Sequence, residues 1–235
     1  SLERLLTRLP DPQRGRLIIT DGVFSMDGDV APLAEILDLA RRHGARVMID
    51  EAHAVGIIGP TGRGTAECRG CQGQVDVTCG TLSKTPGAVG GYCAGSAALV
   101  RYLRYYARTH FFSTSLPPPV VAGLVFKLLS ADAAGREELW VNVRYLLNGL
   151  IDLGFDTGNT ESAIIPVMVG DEERLGAFHN GLRHAGVFTN LVTYPAVRRK
   201  ECRLRLCVMS ALTRANLDEA LAIFARVGRQ HGIIA

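Results

Sequence analysis

Ala45-Arg-Val-Met-Ile-Asp50-Glu-Ala-His53 is the stretch on which the fold turns. Val47-Met48-Ile49 is the short apolar run of a buried strand, and it stops abruptly on two acids. Just upstream, Pro32 opens a helical pattern in which Leu33, Ile36, Leu37 and Ala40 keep a 3.6-residue period, and Gly44 ends it. Before that helix lies another apolar run, Arg16-Leu-Ile-Ile-Thr20. After the acids come Val75-Asp-Val-Thr-Cys79 and Gly91-Tyr-Cys-Ala94. Short apolar strands separated by helices predict an α/β fold with a mostly parallel sheet covered on both faces.

Pro117-Pro118-Pro119 marks a break, and helical patterns follow over 120–133 and 136–153. The last third changes texture: a strand at 163–169, a helix at 172–185, a strand at 204–209 and a helix at 214–230. The expected division is 1–118 as part of a large domain, 119–153 as linking helices, and 154–235 as a small C-terminal α/β domain. The chain opens at Ser1 inside an amphipathic pattern (Leu2, Leu5, Leu6, Leu9), so the expectation is a piece of a longer polypeptide whose N-terminal part is absent.

Composition narrows the function classes. Of 235 residues, 47% are hydrophobic and 21% charged, the balance of a globular protein. No apolar run reaches the roughly 18 residues of a membrane span. A net charge of +3 gives little reason to expect nucleic acid. The chain carries 23 Arg but only three Lys (Lys84, Lys127 and Lys200), which draws attention to a Lys in a polar loop. Cys79 and Cys93 sit in strand-like runs and read as small core residues. Cys68-Arg-Gly-Cys71 is a C-x-x-C without a matching second pair, so an ordinary loop is expected there rather than zinc. A reducing cytoplasm is the expected compartment.

Three polar clusters each follow a strand, where open α/β sheets bind ligands. The first is Asp50-Glu51-Ala52-His53. It matches the acidic motif of a DEAH-type helicase, but that ATPase needs an upstream G-x-x-x-x-G-K-[ST] loop. The only Lys followed by Ser or Thr is Lys84-Thr85, which lies downstream with Thr78 and Ser83 where the glycines belong. Glu51 is well explained as a solvated charge at a strand end. Asp50 is not, because a carboxylate capping a buried strand needs a cationic partner. The second cluster is Gly80-Thr-Leu-Ser-Lys-Thr-Pro-Gly87. Its Lys84 suits a Schiff base to an aldehyde cofactor, and Thr81 and Ser83 are placed to donate to a phosphate; taken alone, the run is also a plain turn. The third, Phe112-Ser-Thr-Ser-Leu-Pro117, taken alone is a helix N-cap region.

Taken together, these motifs resemble one family. Thr20-Asp-Gly-Val-Phe-Ser-Met-Asp-Gly-Asp29, Ile49-Asp-Glu-Ala-His-Ala-Val-Gly56, Gly62-Arg-Gly64, Gly80-Thr-Leu-Ser-Lys84, Phe112-Ser-Thr-Ser-Leu-Pro117 and Arg203-Leu-Arg205 stand in the order and spacing of the α-oxoamine synthases. These are pyridoxal-phosphate (PLP) enzymes of fold type I, and the resemblance runs over essentially the whole chain. It implies that Lys84 carries PLP as a Schiff base and that Asp50 pairs with the pyridine nitrogen, keeping it protonated. It implies that His53 bonds the ring hydroxyl and polarises an incoming carbonyl, with Ser25 near the same ring oxygen. Thr81 and Ser83 would serve the phosphate. Ser113 and Thr114 match a turn that reaches the phosphate of a neighbouring subunit, so a homodimer with a shared site is implied. Arg205 matches the residue that binds the amino-acid carboxylate. Arg203 ranks second and is equally readable as a surface charge.

The implied reaction condenses an α-amino acid (glycine, serine or alanine) with an acyl thioester, on CoA or an acyl carrier protein, with loss of carbon dioxide. In the family an upstream aromatic ring and a glycine loop complete the PLP site, and neither lies in this sequence. Two alternatives stay open: a PLP aminotransferase of the same fold, which typically has Tyr three residues after the Asp, and a non-catalytic or truncated partner subunit. Ala163-Ile-Ile-Pro-Val-Met-Val-Gly-Asp171 and Tyr194-Pro-Ala-Val197 look like glycine C-acetyltransferase. Leu139-Trp140, Asn142 and the tail Gly228–Ile234 look like bacterial serine palmitoyltransferase.

Overall fold

The structure, a computed structural model, describes residues 1–9, 15–129 and 133–235. The chain divides into two compact units, Ser1–Val23 with Ala31–Ala131, and Phe24–Val30 with Asp132–Ala235.

The first unit is built on four strands in the order β1 (Arg16–Asp21), β2 (Ala45–Asp50), β3 (Val77–Thr81), β4 (Gly91–Gly95). The first three run parallel and β4 is antiparallel to β3. Helix α1 (Leu2–Arg8) precedes the sheet, and α2 (Leu33–Arg42) makes the crossover from β1 to β2. The apolar stripe of α2, Leu33, Leu37 and Ala40, is buried with Leu6, Ile18, Val47, Ile49 and Cys71. At about 2 kcal/mol for each fully buried Leu or Ile, this cluster is what fixes β1 against β2. Gly44 ends α2 in a left-handed conformation with φ +61°.

Among the described residues one face of this sheet is covered, where the strand pattern predicts cover on both. Ile18 is buried, whereas Leu17 and Ile19 on the opposite face are 53% and 65% exposed. The open face carries the residues in register with Ile19 and Asp21: Met48 and Asp50 on β2, Val77 and Cys79 on β3, Gly95 and Cys93 on β4.

Helices α3 (Thr65–Cys68), α4 (Ala97–Tyr106), α5 (Arg108–Phe112) and α6 (Pro118–Leu129) complete the unit. Ser96 caps α4 by accepting from Leu99 N at 3.2 Å. Of the long helix expected at 120–133, residues 130–132 lie outside the described residues; α6 covers the part up to Leu129 and begins within the proline run, since a proline at the first turn removes only an N–H that has no helical partner there.

The second unit has a three-stranded antiparallel sheet ordered β5 (Ile164–Met168), β7 (Arg203–Cys207), β6 (Asn190–Val192). Helices α7 (Ala133–Asp152), α8 (Glu172–His184) and α9 (Arg214–Gln230) supply the rest of its core. Phe155, Phe178 and Phe224 meet with ring centroids 5.7–6.0 Å apart. Asp171 caps α8, and Thr213 with Asn216 forms a capping box on α9. The two helices expected to link the domains divide between the units, α6 with the first and α7 with the second. Phe24–Val30 belongs with the second unit, where Gly28 O accepts from Glu161 N at 3.1 Å. Among the described residues no helix is long and apolar enough to cross a membrane.

Candidate active site

The first unit gathers its chemistry where β2 and β3 end. Beyond Asp50 the chain turns back on itself, with Ala54 N and Val55 N donating to Glu51 O at 3.0 and 3.2 Å. Beyond Thr81 it forms a second loop, closed by Gly87 N donating to Lys84 O at 2.9 Å and Leu82 N to Gly90 O at 2.9 Å. The loops touch at Gly56, where an added Cβ would run into the Thr85 methyl group; glycine there lets the loops close. Their approach brings Lys84 Nζ within 2.8 Å of His53 Nε2. Asp50 closes β2, and its Oδ1 accepts from Ala52 N at 2.8 Å.

Lys84 is exposed on this chain, and His53 stands beside its amine. An imidazole nitrogen in hydrogen-bond contact is an acceptor for its proton. Thr81 and Ser83 share a hydrogen bond between their hydroxyls at 2.7 Å, and Ser83 N donates to Thr81 Oγ1 at 3.2 Å. Both hydroxyls therefore stand at the mouth of the lysine loop. An amine for an aldehyde, a carboxylate for a pyridine nitrogen, an imidazole beside the amine and two adjacent hydroxyls for a phosphate form a donor set that fits pyridoxal phosphate.

Two acids behave differently from what their sequence context suggests. Glu51, expected to be a solvated strand-end charge, is 2% exposed. Thr65 N donates to both its carboxylate oxygens at 3.0 Å and Thr65 Oγ1 to Oε2 at 2.8 Å. A Cβ at Gly22 would come within 2.9 Å of the same oxygen, so the glycine leaves room for the carboxylate. Burial pushes the Glu51 carboxyl above its ordinary value, and the bonds from Thr65 and Ala66 offset part of the rise. Asp21 drew no role from the sequence, yet it is the register partner of Asp50. Burial and then the Asp50 charge push its carboxyl up, while Lys84 pulls it down. A second acid closing an apolar strand was the available signal.

Ser113 and Thr114 lie exposed in the turn between α5 and α6. The Ser113 hydroxyl donates to Thr109 O, and Thr114 holds φ +58°, a strained conformation for a β-branched residue. In the second unit Arg205 Nε donates to Ser25 O at 2.5 Å, and the Arg205 side chain lines a hollow of about 360 Å³ together with Met26, Tyr194 and Pro195. Arg203 is no surface charge. It is 4% exposed, ion-paired with Asp27, and donates from Nε to Glu201 O at 2.7 Å. Its position on the central strand β7 explains the burial. Of the C-x-x-C, Cys71 is buried with its thiol pushed up by desolvation, and Cys68 is exposed at the end of α3.

Comparison with known proteins gives the family and the fold. The family model for aminotransferase class I and II matches residues 1–224. The chain is similar to the 8-amino-7-oxononanoate synthase of Symbiobacterium thermophilum, 45% identical over 235 residues, covering 99% of this chain and 60% of the relative. It is 42% identical to the 4-hydroxy-2,2'-bipyrrole-5-methanol synthase PigH of a Serratia species, covering 99% of this chain and 36% of that protein. Among solved structures, a serine palmitoyltransferase from S. paucimobilis with a bound PLP–myriocin aldimine superposes with a TM-score of 0.94 at 37% identity, covering 99% of this chain and 59% of that one. The chain thus spans about 60% of the length of the 8-amino-7-oxononanoate synthases and the serine palmitoyltransferase it is compared with. It has the fold of a type I PLP transferase and belongs to the aminotransferase class I and II family, within the α-oxoamine synthase group.

Proposed function

We propose that this chain carries the lysine-bearing part of a PLP-dependent acyltransferase, which condenses glycine, serine or alanine with an acyl thioester and releases carbon dioxide and an α-aminoketone. The observation that carries the reading is the 2.8 Å contact between Lys84 Nζ and His53 Nε2 beside the acid that closes β2. When bound, pyridoxal phosphate supplies an electron sink for the substrate's α-carbon.

Each residue has a role set by its chemistry. Lys84 would hold the cofactor through its amine, and the same amine, when free, would take the α-proton. Asp50 keeps the pyridine nitrogen protonated, because an ionised carboxylate beside it stabilises the cationic ring. His53 orients the Lys84 amine and donates to the oxygen that gains charge as the thioester carbonyl is attacked. Thr81 and Ser83 hold the phosphate, and Ser25 bonds the ring hydroxyl. Arg205 receives the amino-acid carboxylate, the bidentate contact for which a guanidinium fork is shaped. Ser113 and Thr114 serve the phosphate of a second copy, which makes the working enzyme a homodimer with amino acid and acyl-CoA or acyl carrier protein as its partners. The cytoplasm is the proposed compartment, in keeping with six free cysteines.

The test uses the full-length protein. With PLP it should develop a visible absorption band, and borohydride should fix the label on Lys84. Glycine, serine or alanine with acyl-CoA should then release carbon dioxide. Keto-acid production from the amino donor without acyl-CoA would instead identify an aminotransferase, and a label on another lysine, or none, would overturn the assignment.

A further inference from the structure

The open face of the first sheet carries a row of four ionisable side chains in register, Asp21, Asp50, Cys79 and Cys93. The proposed reaction uses Asp50 and leaves the two cysteines without a role. Cys79 and Cys93 face each other directly across the antiparallel β3–β4 pair. Antiparallel pairs alternate between those that exchange backbone hydrogen bonds and those that do not. Leu82 N donates to Gly90 O at 2.9 Å, and those two residues are opposite one another in the same register. Counting back three residues on β3 and forward three on β4 places Cys79–Cys93 at a non-hydrogen-bonded pair. There the Cα atoms stand about 4.5 Å apart, inside the roughly 4.4–6.8 Å that a disulfide spans. The Cys93 thiol lies near enough to the Cys79 thiol to help raise it. Cys93 is exposed and Cys79 half-buried.

We propose that Cys79 and Cys93 are a reversible dithiol–disulfide pair, a modification site for small-molecule disulfides such as oxidised glutathione. The inference stands on the strand register and does not depend on the function proposed above. The exposed Cys93 thiolate attacks one sulfur of the reagent, whose S–S bond breaks, and one thiolate leaves. The Cys79 thiol then loses its proton to solvent and attacks the Cys93 sulfur of the mixed disulfide, expelling the second thiolate. Two protein thiols are oxidised and one reagent disulfide is reduced to two thiols. Desolvation, Cys93 and Asp50 together hold the Cys79 thiol up at about 12, so Cys79 is the second nucleophile and closure is the slower step. The bond ties β3 to β4 two residues before Thr81 and so clamps the base of the lysine loop.

The full-length protein is incubated with oxidised glutathione, alkylated under denaturing conditions and digested without reduction. The expected product is a peptide pair joined between Cys79 and Cys93, two hydrogens lighter than its parts and separated by dithiothreitol. Time points should show glutathione on Cys93 before the cross-link. Cys93→Ser should abolish the cross-link, and Cys79→Ser should stop at the mixed disulfide. Recovery of both cysteines alkylated, or glutathione persisting on Cys93 of the unaltered protein with no cross-link, refutes the pair. The readout on the unaltered protein needs no variant to fold.

Discussion

Glu51→Ala should destabilise the first unit by about 3 kcal/mol. The side chain is 2% exposed, and its removal strands the Thr65 amide and hydroxyl in a site closed to water. Each orphaned buried donor costs roughly 1–3 kcal/mol, about 2–6 for the two, and the deletion also relieves the desolvation that raises the Glu51 carboxyl, which sets the sum in the lower half of that range. Glu51→Gln keeps the shape and one acceptor oxygen and should stay within about 1 kcal/mol of the parent near neutral pH. The two variants also separate in their pH dependence. The folded carboxyl sits above its ordinary 4.5, so the folded state binds more proton than the unfolded chain between these values. The Glu51 contribution is therefore fully present below 4.5 and is lost as pH rises through the folded value. Glu51→Gln should flatten that decline. Urea unfolding read by circular dichroism gives midpoints and slopes at each pH. A loss below about 0.5 kcal/mol in Glu51→Ala, or an unchanged decline in Glu51→Gln, would show that Thr65 is satisfied otherwise and sink the reasoning.

Three further outcomes follow from the second unit. Arg203→Met removes a buried guanidinium from Asp27 and Glu201 O and should cost about 2 kcal/mol by urea unfolding, below the full cost of breaking a buried pair because Asp27 is 49% exposed. Phe178→Ala empties the centre of the aromatic cluster and should lower stability by roughly 3–5 kcal/mol, read as a shifted denaturant midpoint. Asn142 is 3% exposed and donates to Met209, Ser210 and Leu212 carbonyls; Asn142→Leu should cost about 2 kcal/mol and increase hydrogen exchange of the amides at the start of α9.

Where a chain segment has one packed side, its sequence gave the element away. β1, β2, α2 and α9 fall within a residue or two of their periodic patterns because Ile18, Val47, Leu37 and Phe224 face a core. β3 begins two residues later than its apolar pattern, since the Asp76 carboxylate accepts from Val47 N at 2.9 Å and pairs with Arg46, holding 75–76 out of the ladder. α4 and α5 escaped notice for the opposite reason: Tyr102, Tyr105, Tyr106, Phe111 and Phe112 are all more than half exposed, so no stripe divides them from water. β6 is three residues long and pairs only with β7, too short for a period to appear. The meeting of Lys84 with His53 just beyond Asp50 was legible as a placement because motif and strand end coincide. The burial of Glu51 was not, because it depends on Gly22 and Thr65, which lie 29 residues before and 14 after it.

The same register that exposes Asp50 to chemistry also creates its electrostatic problem. Like charges directly opposite on neighbouring strands repel, and Asp21 stands beside Asp50 with both carboxyls at the open edge of the sheet. Burial and then the Asp50 charge push the Asp21 carboxyl up, and the Lys84 charge opposes them. The Asp21 carboxyl is therefore tied to the charge on the lysine, which pulls it down. That coupling is a reason for three charged groups from three separate chain segments to sit at one sheet edge, where local stability alone would favour fewer.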